Sequence, residues 1–316
     1  MKIVYQLTKN GLIKSEEPFG NLIIFKQATS SERAHFLEKH DLPSDVFNFH
    51  DMPSIAPRVE YVTSDKLGPT TIFVNANILE NSNSDSVEKR LESHIFILSN
   101  QQLFWFINEG ASNLFEEFLE KKGYLTQTLE SIILNAGLIS YKHFTKELKK
   151  QKETIDLLDY QANHRTSNQI LIDVANTERD MVLLEHTIDT QELAFSHLLE
   201  NKEFLEKLND ENLTHDIEWY NRQVNKLVHL YRDLLDTVSA LYSDIMSNSL
   251  NKLMKFLSSL SLILASSGLI AELWGMNTGG LPGENSDYGT LILFSVAFIA
   301  GLIMYLFLRK NKYFND

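Results

Sequence analysis

Two apolar stretches near the C-terminus limit what this chain can fold into more than any other feature. Phe256 to Trp274 reads FLSSLSLILASSGLIAELW, and Thr290 to Leu308 reads TLILFSVAFIAGLIMYLFL. Each holds 19 residues. As a helix that is about 28 Å, close to the hydrocarbon thickness of a bilayer. The second stretch is uncharged, whereas the first carries five serines and Glu272. A buried hairpin of a soluble protein is the alternative, and the flanks weigh against it. Lys252 and Lys255 precede the first stretch, and Arg309, Lys310 and Lys312 follow the second. The connecting loop, Gly275 to Gly289, has no Lys or Arg and carries Glu284 and Asp287. Basic residues stay on the cytosolic side, so both termini are expected inside and the loop outside. No apolar run of signal-peptide length follows Met1, so no cleaved leader is expected.

The chain has no cysteine. That excludes disulfides and thiolate metal sites, and leaves any metal to oxygen or imidazole ligands. The net charge of −13 is unevenly placed. From Asn251 onward five Lys/Arg face four Asp/Glu, so that part is +1 and residues 1–250 carry −14. An acidic domain of this kind repels nucleic acid, whose binding needs basic side chains on phosphates. It attracts cations, or is simply a solvated acidic surface. Enzyme chemistry finds no foothold. There is no phosphate-binding glycine loop, no cysteine nucleophile, and no His-Glu-X-X-His pattern among the ten histidines.

Residues 1–107 have a mixed pattern. Strands are expected at Lys2–Leu7, Asn21–Gln27, Val59–Thr63, Thr70–Asn75, His94–Leu98 and Leu103–Asn108, with a short helix at Ser31–His40. From Ser112 onward the strand signals stop, and no proline falls between Pro69 and Pro282. Helices are expected at Ser112–Lys122, Thr126–Gln161 and Ser167–Asn201, and a last one from near Thr214 into the first apolar stretch. From Thr214 to Trp274 that helix would hold 61 residues, roughly 90 Å. It carries two seven-residue rows, Tyr231–Val238–Ile245 and Leu227–Leu234–Leu241. Such rows serve packing against copies of the same helix or against neighbours in the chain.

A C-terminal helical pair, a long preceding helix and Gly275-Met276-Asn277 after the first span together resemble the CorA-type divalent-cation transporters, of the two-transmembrane GxN superfamily. Pro57-Arg58-Val59-Glu60-Tyr61 is similar to a stretch that begins a strand in that family. Asn251, 26 positions before Asn277, matches an asparagine at the cytosolic entrance of the family's pore. The chain departs from the Mg2+-type loop after Asn277. Its Thr278-Gly279-Gly280-Leu281-Pro282 is closer to the zinc-type (ZntB-like) branch.

The resemblance implies a funnel-shaped homopentamer in the cell (inner or plasma) membrane. Its parts would be a mixed α/β cytosolic domain (1–110), long cytosolic helices (111–210), and a stalk helix continuing into the first transmembrane helix (211–274, the span about 256–274). An external loop (275–289), a second transmembrane helix (290–308) and a basic cytosolic tail (309–316) would follow. Its partners would be copies of itself, the lipid bilayer and divalent cations. The ion is Mg2+ on this reading, with Co2+ or Ni2+ as further substrates, and no prosthetic group is implied. Proton-linked Zn2+ transport is the alternative. A two-span membrane sensor is an alternative of another class, disfavoured because a fifteen-residue loop is too short for a ligand-binding domain.

At about 100° per residue, Asn251, Ser258, Ala265 and Glu272 share one helical face, with Leu262, Leu269 and Met254 close by. Symmetry would repeat each as a ring. Small and apolar collars suit a hydrated ion or a dewetting gate. Mg2+ gives up water reluctantly, so selection through its hydration shell is reasonable. Amide oxygens can accept hydrogen bonds from the ion's waters, which points to Asn277, with Gly275 and Met276, as the outer ring and Asn251 as the inner one. Asn277 also reads as a plain helix-end asparagine. A carboxylate at membrane depth is costly, so Glu272 faces water, a partner or the headgroups. Glu284 and Asp287 would draw cations to the loop, or are ordinary solvated charges. Asp216, in the stalk's first turns, matches a family carboxylate of a cytosolic regulatory metal site. It also fits the ordinary preference for acids in a helix's first turn.

Overall fold

The computed structural model describes residues 1–8, 11–17, 19–47, 57–79, 86–107, 114–123, 126–164, 167–276, 280 and 286–311. The chain divides into two compact units, Met1–Ser239 and Ala240–Asp316.

The first unit is built on a seven-stranded mixed sheet. Its strands are β1 (Lys2–Thr8), β2 (Gly11–Lys14), β3 (Leu22–Lys26), β4 (Arg58–Ser64), β5 (Gly68–Ile78), β6 (Leu91–Leu98) and β7 (Leu103–Ile107). They lie in the order β2-β1-β3-β7-β6-β5-β4. Every neighbouring pair is antiparallel except β3 and β7, which run parallel with Leu22 opposite Leu103. β2 is absent from the expected set. It is a four-residue edge strand entered through Gly11 at φ 101, too short to show a period in the sequence.

Alternation along the central strands gives the sheet two apolar faces. One face gathers Ile23, Ile72, Val74, Ile95, Ile97, Phe104 and Phe106 under α1 (Ser30–His40) and the short 3₁₀ turn Ser44–Phe47. The other presents Ile24, Phe73, Phe96 and Trp105, all fully buried. These meet α3 (Leu114–Lys122) through Phe118, and α5 (Asn168–Leu199) through Phe195, 4.8 Å from Phe73 between ring centres. Full burial of such side chains contributes about 1.5–3 kcal/mol each. The one-turn helix α2 (Val87–Arg90) leads into β6.

The long helix α4 (Leu129–His164) is fixed to α2 and to the sheet by buried polar side chains. Arg90 makes two 2.6 Å hydrogen bonds to Glu147, and both side chains are under 10% exposed. Burial alone would push Glu147 up, but Arg90, with Gln151 and Lys150, holds its carboxyl below the ordinary value. A second chain of bonds starts at Trp105, which donates to His94 Nδ1 at 3.1 Å. His94 Nε2 is thereby left to face Glu92 Oε1, at 3.0 Å. Asn77 donates to the same Glu92 oxygen at 2.8 Å and turns its own oxygen to His143 Nδ1, also 2.8 Å. His143 Nε2 lies 2.9 Å from Glu117 on α3. α4 and α5 meet closely at Gly137, where an added Cβ would stand 2.2 Å from the Phe195 ring. After α6 (Lys202–Leu208), the start of α7 (Glu211–Trp274) completes this unit.

The buried stripe of α7 extends one of the seven-residue rows seen in the sequence and adds another: Ile217 and Val224 precede Tyr231 and Val238 at steps of seven, while Asn221, Val228, Leu235 and Tyr242 form a row not noted there. Ile217, Val224, Val228 and Leu235 are fully buried, Val238 nearly so, and Asn221 among them accepts a 2.6 Å bond from Tyr141 of α4. Leu227 and Leu234 are only half-buried and Leu241 is exposed. Of the six residues in the two rows read from the sequence, Val238 alone is buried.

The second unit holds the rest of α7 and α8 (Gly289–Lys310).

Candidate permeation helices

Both helices of the second unit are long and apolar enough to cross a membrane. Only 6% of the apolar window in α7 and 11% of that in α8 is buried within the chain. Neither is therefore a buried core helix within this chain. Large apolar side chains point outward all round α8, Phe294 and Phe298 at 70% and 71% exposure among them.

The two helices meet through small residues. Ser259 is buried, and Ile263, Ser266, Ser267, Ile270 and Trp274 are half-buried along the same side of α7. Opposite them is Gly301 of α8, where an added Cβ would stand 2.6 Å from Ser267 Oγ and 3.8 Å from Ile263 Cγ2. Ser266 and Ser267 both donate back to the Ile263 carbonyl, at 2.8 and 3.2 Å. Their hydroxyls are thereby satisfied without water, as a lipid-facing helix requires. Close approach over Gly and Ser is the usual basis of helix packing where no hydrophobic force acts between helices.

The row expected to line a pore is elsewhere on α7. Asn251, Ser258, Ala265 and Glu272 are all exposed. Their row is turned about 120° from the Ser259–Ile263–Ser266–Ile270 row, at 100° per residue. Leu262, Leu269 and Met254, at 47%, 56% and 61% exposure, flank it. α7 is helical without interruption through the whole row, so its members share one face, and α8 does not cover it.

The helix ends where the motif begins. Gly275 N–H donates to the carbonyls of Ala271 and Glu272, at 3.0 and 3.1 Å, and Met276 N–H reaches Leu273 at 3.4 Å. Met276 is exposed. Asn277 and Glu284 lie outside the described residues. Gly280 has φ 95, a left-handed backbone that favours glycine. Asp287 is exposed just before α8, where Ser286 turns the chain by accepting from Tyr288 and Gly289.

In the first unit Asp216 is exposed on α7. No cluster of three His, Asp or Glu side chains that could hold a metal occurs among the described residues. The sequence reading missed a polar seam between α5 and α7. Asn225 donates to Asp189 and Glu192, at 2.9 and 2.5 Å. His229 lies 2.9 Å from Glu185 and 3.3 Å from Asp189, and Arg232 donates to Glu185 at 2.7 Å. The partners run in opposite order, so the two helices are antiparallel here. Burial, and then Asp189, push the Glu192 carboxyl up. A signal was present: Glu185, Asp189 and Glu192 repeat at steps of four and three, as do Asn225, His229 and Arg232.

Residues 22–310 match the family described as CorA-like Mg2+ transporter protein. The chain belongs to that family. The cobalt/magnesium transport protein CorA of Thermotoga maritima is 24% identical over 166 residues. That alignment takes in 52% of this chain and 47% of the relative, so it spans about half the relative's length. The complete CorA magnesium transporter of Methanocaldococcus jannaschii has the same fold, with a TM-score of 0.72 at 14% identity, covering 98% of this chain and 97% of that one. The cytoplasmic domain of ZntB from Vibrio parahaemolyticus aligns at a TM-score of 0.61 and 12% identity, over 79% of this chain and 97% of that domain. The CorA-like fold is therefore common to structures named for magnesium and structures named ZntB. It does not choose an ion for this chain.

Proposed function

We propose that this protein carries hydrated divalent cations across a membrane, as a homopentamer with α7 around the pore and both termini in the cytosol. The observation that carries the reading is the uncovered row Asn251–Ser258–Ala265–Glu272 on an apolar, unbroken helix that ends at Gly275-Met276-Asn277. A face with polar ends and small residues between is out of place in lipid and suits a column of water. Copies of the chain around an axis would turn it inward. The half-exposed Leu227–Leu234–Leu241 row offers apolar surface for the same association. Asn251 and Asn277 then hold the ion through its waters, and Glu272, with Glu284 and Asp287, raises the local cation concentration. Mg2+ is the substrate proposed first, with Co2+ and Ni2+ behind it. Asp216 is proposed as one half of a site where cytosolic metal bridges subunits and holds the pore closed.

Glu272 favours a second reading. Its exposed place on that row, in a chain with the Thr278-Gly279-Gly280-Leu281-Pro282 sequence, fits proton-linked Zn2+ movement, because a ring of carboxylates at the pore mouth offers oxygens for which a proton and a cation compete. One experiment tests both. The protein is reconstituted in liposomes, and influx of Mg2+, Co2+ and Zn2+ is followed with and without a pH gradient, for wild type, Asn277→Ala and Glu272→Gln. Mg2+ entry that needs no pH gradient and is lost in Asn277→Ala supports the first reading. Zn2+ entry that needs the gradient and is lost in Glu272→Gln supports the second. Entry of no ion in any condition sinks the transport reading.

A further inference from the structure

The face of the sheet under α1 contains a cavity of about 400 Å3 that the transport reading does not use. That size is within the range of small-molecule sites. Its walls are Ile23 and Phe25 of β3, Phe104 of β7 and Phe36 of α1. Phe36 meets Phe104 edge-on, 4.9 Å between ring centres, and the His40 ring lies 4.5 Å from Phe36 and 5.2 Å from Phe104. Phe19 stands at the cavity at 75% exposure, a large aromatic side chain with little to cover it.

The charged groups around this aromatic floor are mostly basic. Lys2, beside Phe25 across the β1–β3 pair, and Lys39 of α1 both line the cavity and are exposed. Neither enters an ion pair among the described residues. Among the lining residues the one carboxylate is Glu32. It is already engaged in capping α1, accepting from Thr29 N at 2.8 Å and Thr29 Oγ1 at 3.1 Å. The His40 imidazole is held below its ordinary value, first by burial and then by Lys39 and Lys66. Local positive charge of this kind is out of character for a chain of net charge −13.

We infer that this cavity binds a small amphipathic anion, a flat ring carrying a phosphate-like group. The ring would lie among Phe19, Phe36, His40 and Phe104, and the anion would be held between Lys2 and Lys39. A metal cation is repelled by the same lysines. An inorganic anion leaves the aromatic floor unused, and a neutral ring leaves both lysines unpaired. Only a ligand with both parts satisfies both features.

Adenosine 5′-monophosphate supplies ring and phosphate together. Adenosine supplies the ring alone, and ribose 5-phosphate the anion alone. Each is titrated calorimetrically into the full-length protein at low salt. AMP is expected to bind at least ~10-fold more tightly than either fragment. Lys2→Ala with Lys39→Ala lowers AMP affinity by about 10-fold and leaves adenosine binding unchanged, while Lys2→Arg with Lys39→Arg restores it. Phe19→Ser weakens AMP and adenosine alike. Both lysines are exposed, so these variants test binding rather than folding. The inference is overturned by absence of AMP binding up to about 10 mM, by equal binding of ribose 5-phosphate, or by no loss in the double alanine variant. Because the site is independent of the proposed pore-lining row, these outcomes leave the transport reading untouched.

Discussion

In the first unit α4 meets the sheet through side chains that are both buried and polar; in the second, α7 meets α8 through serines, an isoleucine and a glycine, with the large apolar groups left outside. The difference teaches what each unit is built to sit in. A buried Arg90–Glu147 pair or an Asn77–Glu92 bond is costly to break, so the first unit has an interior of its own to hold it together. The second has no such interior. Its exposed Phe294, Phe298, Leu262 and Leu269 leave it stable only where lipid or further protein covers them.

The largest break expected is in the first unit. Arg90→Ala strands Glu147 at 3% side-chain exposure, which should cost about 3–5 kcal/mol and lower the unfolding midpoint sharply. Circular dichroism of the protein in detergent would report it. The same pair sets a pH dependence. Glu147 and Glu117 have carboxyls held below their ordinary value: burial opposes this, while Arg90 for the first, and Lys121 and His143 for the second, outweigh it. Their contribution is complete above the ordinary carboxylate pKa and is lost as pH falls through the lowered values. In Arg90→Ala the sign should reverse for Glu147, whose burial then favours the neutral form, so acidification should narrow the gap to wild type. A constant gap from pH 7 to about 4 would disprove that account.

Next comes the second unit. Gly301→Leu drives a side chain into Ser267 and Ile263. It should cost about 1–3 kcal/mol of helix packing and slow cation flux, while the first unit melts as before. An equal shift of both units would mean that they do not behave separately. Thr29→Ala removes the capping box of α1, in which Thr29 and Glu32 satisfy each other's backbone N–H groups. A loss of about 1 kcal/mol is expected, read from the same melts. The smallest effect is for Arg232→Ala in the α5–α7 seam. Its bond to Glu185 is partly solvated, so no more than about 0.2–1 kcal/mol should be lost, and high salt should erase the difference.

How much was legible can be argued from particular elements. Six of the seven strands and α1 show in the sequence because period-two apolar runs and turn residues are local signals. α7 starts three residues before its expected position at Thr214, and α5 ends at Leu199 so that a separate α6 can turn the chain at Asn209, a left-handed residue at φ 47. Breaks of that kind rest on cap geometry, which composition does not show. The proposed pore-lining row Asn251–Ser258–Ala265–Glu272 was readable because a regular helix converts spacing into angle. Its exposure was not, because the position of α8 depends on the contact of Gly301 with Ser267.

By itself, then, the sequence determined two membrane-length helices, a mixed sheet region, the absence of thiol chemistry, and the motif that points to the CorA-like family. Only the tertiary structure decided the strand order with its parallel β3–β7 pair, the Trp105–His94–Glu92–Asn77–His143–Glu117 chain of bonds, which row of α7 is buried, and the basic aromatic cavity under α1. The physical reason is distance along the chain. Periodicity and propensity act over a few residues, whereas Arg90 and Glu147, or Lys2 and Lys39, come together only when segments far apart in sequence pack, and no local pattern encodes the partner.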